Sequence, residues 1–328
     1  MMSSRRLFQV VLVSAILPGL LWAQAKIDDK LPEYRPAVGV SGNIKSVGSD
    51  TMNNLMTLWL EGFRKFYPSV QFEMEGKGSS TAPVALTLGT ATFGPMSRPM
   101  KPAELDAFEK RFGYKPVGLG TSIDMLAVFV NKDNPLPSLT LPQVDAMFSS
   151  TRRLGYPNDI RTWGQLGLDG DWREKPMSLY GRNAASGTYG FFKEKALGEG
   201  DFKNDVKEQP GSAAVIQGVA GDRSGIGYAG IGYQTPNVRA IGLAQDDKAS
   251  VITPTPENAY TGKYPLARFL LMYVNYKPGT QLEPLRREFI RYIFSKQGQE
   301  AVVKDGYYPV TAPMARRALE QVGIRANF

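Results

Sequence analysis

The 328-residue sequence contains no cysteine and no histidine. Without cysteine there is no disulfide, thiol nucleophile, thiolate metal site or point of lipid attachment behind an export signal. Without histidine, the Ser-His-Asp triad, the H-E-x-x-H zinc site and imidazole acid–base work are absent. Hydrolase readings lose most of their chemical basis. The chain also has no G-x-S-x-G elbow, no G-x-x-x-x-G-K-[ST] loop, no internal repeat and no low-complexity tract. Its Lys and Arg are scattered rather than gathered into a basic run interleaved with aromatics, so nucleic acid is not expected as a partner. No cofactor and no metal is expected either: acidic pairs such as Asp169 and Asp171, or Asp246 and Asp247, sit in turn-like settings and read as solvated loop residues.

What is present begins with an export signal. Arg5-Arg6, an apolar stretch from Leu7 to Trp22 and Ala23-Gln24-Ala25 fit a charged n-region, an h-region and an A-x-A cleavage site, so residues 1–25 are expected to leave and Lys26 to begin the mature chain. Gln9, Ser14 and Pro18 interrupt a stretch already short of the ~20 apolar residues of a membrane span. Ser4-Arg5-Arg6-Leu7-Phe8 also resembles a twin-arginine signal. Either route leads out of the cytoplasm, and with no cysteine to acylate the mature protein is expected free in the periplasm. The formal charge, +8 overall, falls to +6 once Arg5 and Arg6 are removed.

Residues 26–41, with Pro32, Pro36 and several charges, read as an extended lead-in. From Gly42 onward, short β-type runs alternate with helical patterns. Strands are expected at 43–48, 70–75, 124–131, 176–180, 226–229 and 267–275. Helices are expected at 52–67, 83–88, 103–112, 189–197, 213–219 and 282–294. In the first helix Leu55, Met56, Trp59, Leu60 and Phe63 fall on one face, and the near-continuous apolar run Met125–Val130 marks a strand buried on both faces. The alternation predicts an α/β fold of mixed, mostly parallel sheets flanked by helices.

Three segments share one pattern in which a strand ends, small hydroxyl residues follow and a helix begins: Gly48-Ser49-Asp50-Thr51, Gly78-Ser79-Ser80-Thr81 and Gly94-Pro95-Met96-Ser97-Arg98. A helix start leaves free N–H donors and the positive end of the dipole, so hydroxyls there either cap the helix or join the amides around an oxyanion. The fourth and most specific segment is Arg182-Asn183-Ala184-Ala185-Ser186-Gly187-Thr188-Tyr189. It combines a guanidinium able to grip an oxyanion through parallel N–H bonds with neutral donors at Ser186 and Thr188, and Gly187 permits close backbone approach. Gly225-Ile226-Gly227-Tyr228-Ala229-Gly230 matches the dinucleotide pattern, but Pro236 leaves no room for the helix such a site requires.

At these four segments the chain resembles the periplasmic phosphate-binding proteins of high-affinity phosphate ABC importers, type II solute-binding proteins of the PstS family, from about Gly42 to the C-terminus. The resemblance implies two α/β lobes with the ligand cleft between them. One lobe is discontinuous, 42–123 and 266–328; the other, 124–265, is inserted. It implies a non-enzymatic, monomeric protein that binds inorganic phosphate and meets the importer's membrane permease subunits. Carried over by motif, the phosphate-binding residues are Thr51 with the Met52 amide, Ser79, Ser97 with Arg98, and Arg182, Ser186, Gly187 and Thr188. The third loop departs from the pattern, with Ser97 where better-known members place an aspartate that accepts the ligand's proton. Asp124 is the first candidate to replace it and Asp50 the second. Sulfate or molybdate binding, a surface role in adhesion built on phosphate binding, and a phosphatase are the rival readings.

Overall fold

The computed structural model describes residues 25–328, so the expected leader lies outside the described residues but for Ala25. Residues 26–41 form no regular element, yet they are held down. Leu31, Tyr34 and Val40 are buried, the Pro32 carbonyl accepts the Lys296 N–H at 2.9 Å, and the Asp28 carboxylate accepts the Ala312 N–H at 2.8 Å.

The first half of the chain runs β1 (Asn43–Val47), α1 (Asn53–Arg64), β2 (Gln71–Glu75), α2 (Thr81–Leu88), β3 (Gly94–Met96), α3 (Pro102–Phe112), β4 (Val117–Asn131), β5 (Ser138–Thr140) and α4 (Leu141–Phe148). It continues through β6 (Ser178–Arg182), α5 (Gly187–Ala196), β7 (Lys207–Gln209), α6 (Ser212–Gly221), β8 (Gly225–Gly230), β9 (Val238–Ala240), β10 (Gly242–Ala244) and α7 (Pro256–Tyr260). It closes with β11 (Ala267–Val274), α8 (Pro284–Ile293), α9 (Lys296–Lys304), β12 (Tyr308–Pro309) and α10 (Ala312–Gln321). The apolar face expected on α1 is the buried one: Leu55, Met56, Trp59, Leu60 and Phe63 all face inward, and the Trp59 indole N–H reaches the Gly298 carbonyl at 2.8 Å.

β4 organises the molecule. It is 15 residues long and begins at Val117, seven positions before the expected start, because the Gly- and Thr-containing stretch 117–122 pairs with β11 despite its low apolar content. Its first half, up to Met125, pairs with β11 and β12, while its second half, from Leu126, pairs with β8 and β9. One sheet thus runs β3-β11-β4 and the other β4-β8-β6-β7. Every partner of β4, and the β3–β11 pair, is antiparallel. The expected parallel pairing holds away from them, in β1–β2, β5–β10 and β6 with both β7 and β8. Parallel neighbours need a helical crossover, which the α/β alternation supplies in the outer parts of each sheet. The dinucleotide-like segment 225–230 is strand β8, wholly buried between β4 and β6.

The turns that leave the carboxyl ends of β1, β2, β3 and β6 are the four hydroxyl-bearing segments of the sequence. In open α/β sheets the crevice beyond those ends is where ligands bind.

Candidate functional site

The four segments converge on one buried point. The Thr51 hydroxyl lies 2.8 Å from that of Thr188, which is 3.4 Å from the Ser97 hydroxyl, and Ser97 lies 3.2 Å from Ser79. The Ser97 N–H donates to the Ser79 hydroxyl at 3.0 Å. All four side chains are essentially inaccessible to solvent. Neither Thr51 nor Ser79 caps the helix beside it; their hydroxyls point at residues from other segments. Gly187 explains how the segments come so close. A Cβ there would run into the Ser79 hydroxyl and lie 2.7 Å from that of Ser97.

One buried guanidinium touches the cluster, and a second lies at the end of the strand that leads into its fourth segment. Arg182, 1% exposed at the end of β6, donates to the Ser212 hydroxyl at 2.7 Å and the Pro210 carbonyl at 3.2 Å, and its Nη1 lies 3.2 Å from the Asp50 carboxylate. Burial works against its charge and Asp50 supports it. Arg268, on β11, sits directly opposite Asp124 in the β4–β11 register. It donates to Asp124 through Nε at 2.9 Å, to the Ser97 carbonyl at 2.8 Å and to the Thr188 hydroxyl at 3.0 Å, with its plane over the Phe191 ring. Each arginine is matched by one carboxylate, so the point is marked less by net positive charge than by N–H and O–H groups able to donate.

Other expected residues serve locally. The Arg98 guanidinium is spent on Glu104, with bonds of 2.8 and 2.7 Å, and on the Pro99 carbonyl. That pair anchors the start of α3, and Arg98 makes no hydrogen bond to the hydroxyl cluster. The Met52 N–H donates back to the Ser49 carbonyl at 3.2 Å within the turn. The Ser186 hydroxyl caps α5, accepting from the Thr188 and Tyr189 N–H groups. Asp124 is fully buried and both of its oxygens are engaged, one by the Ile231 N–H at 3.0 Å and the other by Arg268. It reaches the cluster through that arginine.

Comparison with known proteins identifies the family and the fold. Residues 36–297 match the model of the PBP superfamily domain. The phosphate-binding protein PstS of Pseudomonas aeruginosa is 51% identical over 323 residues, spanning 98% of this chain and all of the relative. The chain belongs to the PstS family. The Staphylococcus haemolyticus member is 26% identical over 80% of the chain and 79% of its own length. A Clostridium perfringens crystal structure, reported as a phosphate ABC transporter substrate-binding protein with bound phosphate, superposes with a TM-score of 0.67 at 26% identity, covering 82% of this chain and 99% of its own. An ABC-type phosphate transport receptor from Vibrio cholerae, 23% identical with a TM-score of 0.62, covers 81% of this chain and all of its own and shares the two-lobed α/β fold.

Sequence reasoning passed over Arg268. Its signal was there, a lone cation in the otherwise apolar strand Ala267–Val274, since a buried arginine must find partners. It also passed over Tyr233 and Tyr307, whose hydroxyls donate to the Asp50 carbonyl at 3.0 Å and the Thr51 carbonyl at 2.9 Å and so fix the first loop.

Proposed function

We propose that the chain binds inorganic phosphate between two lobes outside the cytoplasmic membrane and hands it, as a monomer, to the permease subunits of an ABC importer. The observation that carries this reading is the meeting of the Thr51, Ser79, Ser97 and Thr188 hydroxyls with the Arg268 guanidinium at one buried point. A tetrahedral oxyanion presents acceptors in several directions, and each of these groups can donate to one. Arg182, its Nη groups held by Ser212, Pro210 and Asp50, adds a second buried positive charge from the β6 side. The name carried by the Pseudomonas aeruginosa relative over its whole length favours phosphate over sulfate or molybdate.

In this reading one lobe comprises residues 42–123 and 266–328 and the other residues 124–265. The change of β4 partners between Met125 and Leu126, and the Leu126 N–H bonded to the Leu266 carbonyl at 3.0 Å, support crossovers at those places. Closing would bring Thr51, Ser79 and Ser97 against Thr188 and Arg182. The ligand drives closure to the extent that it makes contacts available only in the closed form. Asp124 acts as a positioning residue that aims Arg268. Export with removal of residues 1–25 fits the leader pattern, and no described helix is long and apolar enough to cross a membrane. The site offers no nucleophile paired with a base, which favours a binding module over a phosphatase.

The test is a calorimetric titration of residues 26–328, freed of ligand by unfolding and refolding, with phosphate, arsenate, sulfate and molybdate. One tight phosphate site with much weaker sulfate binding is expected. Sulfate or molybdate binding as tightly as phosphate overturns the assignment, and steady release of p-nitrophenol from p-nitrophenyl phosphate overturns the non-enzymatic reading.

A further inference from the structure

Asp50 lies on the turn that also carries Thr51, yet its carboxylate makes no hydrogen bond to the hydroxyl cluster. Its Oδ2 accepts the Ser212 N–H at 2.8 Å and lies 3.2 Å from Nη1 of Arg182. Ser212 opens α6, a helix of 10 residues, so the carboxylate sits at the positive end of that helix. Gly211 makes the approach possible, because a Cβ at that position would lie 2.9 Å from Oδ1 of Asp50. The Gly211 backbone is itself extended, at φ −141°, so close approach rather than conformation is what the glycine serves. The Tyr233 hydroxyl adds a bond to the Asp50 carbonyl at 3.0 Å. Asp50 precedes the proposed crossover at residue 124, whereas Arg182, Gly211, Ser212 and Tyr233 all follow it.

We propose that Asp50 is a latch, a carboxylate of one lobe that holds the cleft closed by docking on Arg182 and the first turn of α6 in the other. The latch rests on the two-lobed reading above. It differs in kind from a ligand contact. The Asp50 side chain keeps 20% of its surface exposed at the margin of the cleft, and its bonds form whichever oxyanion is bound. The carboxylate therefore sets how long the closed form lasts and leaves the choice of anion to the hydroxyl cluster. While the cleft is closed it also steadies the buried Arg182 guanidinium, whose Nε has no hydrogen-bond partner among the described residues.

The experiment uses residues 26–328 with Asp50→Asn, and Gly211→Ala as a second variant that keeps the charge but pushes the carboxylate off α6. Phosphate and arsenate release is followed by stopped flow, and the distance between spin labels on α2 and α6 is measured with and without phosphate. Loss of one charge-assisted bond corresponds to release about tenfold faster, by the same factor for both anions, with a larger open population in the ligand-free protein. Wild-type release and label distances in both variants overturn the latch. So does an Asp50→Asn protein that closes as before but loses its preference for phosphate over sulfate or shifts its pH profile, because Asp50 is then the acceptor of the ligand's proton. If wild-type protein binds no phosphate, the function proposed above fails, while the ligand-free label distances still test the latch.

Discussion

Replacing Arg268 separates what this side chain does for the ligand from what it does for the fold. Asp124 is 0% exposed and keeps only the Ile231 N–H once the guanidinium is gone. Removing one partner of a buried ion pair typically costs about 3–5 kcal/mol, so Arg268→Met should markedly lower the denaturation midpoint of the ligand-free protein. Adding Asp124→Asn removes the stranded charge while keeping an acceptor for the Ile231 N–H, and most of that loss should return. Affinity should behave otherwise. If the Nη2 group that now meets the Thr188 hydroxyl at 3.0 Å turns to a ligand oxygen, its loss costs about 1.5–3 kcal/mol, roughly 10- to 150-fold in Kd. The double variant should not recover that. Urea titration of the ligand-free proteins and calorimetry with phosphate give the two quantities on the same samples. A double variant that regains both stability and wild-type phosphate affinity refutes the reasoning and makes Arg268 purely structural.

Two further outcomes follow from the same geometry. Gly187→Ala should weaken phosphate binding at least tenfold, with little change in the melting temperature of the ligand-free protein, because the added methyl meets the Ser79 and Ser97 hydroxyls only where the segments close on each other; unchanged affinity would show that the cluster never closes this tightly. Burial, with Asp124 adding to it, raises the carboxyl of Asp305 to about 7. The native protein thus holds a proton at Asp305 that the unfolded chain has already released, so the contribution of this group to stability falls as pH rises from about 4 to 7 and levels off above. Asp305→Asn should accordingly gain stability over wild type through that window, and a difference independent of pH in urea titrations from pH 5 to 8 would argue against the raised carboxyl.

The four hydroxyl-bearing segments were legible because each is local: a strand end, a hydroxyl and a helix start lie within a few residues of one another. Their convergence needed only the rule about carboxyl ends of strands. What escaped were the contacts set by register and crossover. Arg268 faces Asp124 only because β11 pairs antiparallel with β4 in one particular alignment, which no local pattern specifies. Asp50 meets Arg182 and Ser212 across more than a hundred residues of chain, so its short side chain reads in sequence as one more turn residue. Arg98 went the other way. Its neighbourhood suggested the ligand, but Glu104 lies one helical start away and captures it. The early start of β4 was hidden by the glycines at 118 and 120, whose missing side chains make room for the Tyr273 and Phe269 rings of β11.

The double use of β4 also constrains the order in which the chain can fold. Among the described strands β3 forms its ladder with β11, meeting β1 through the Ser46–Phe93 bridge and the Ser49 N–H bonded to the Pro95 carbonyl at 2.8 Å, and the first half of β4 pairs with β11 and β12. Met96 therefore waits for Leu271, and Ser122 for Leu270 and Pro309. A chain made N-terminus first can pair β1 with β2 early, but the sheet holding β3 stays open until nearly the whole sequence has appeared. Pairings this distant in sequence make for slow folding and long exposure of unpaired strand edges. A truncation ending before Ala267 should therefore leave β3 and the first half of β4 without their antiparallel partners, seen as rapid amide exchange at residues 117–125. A strand made in the first third of the chain, β3, is among the last to gain its ladder partner.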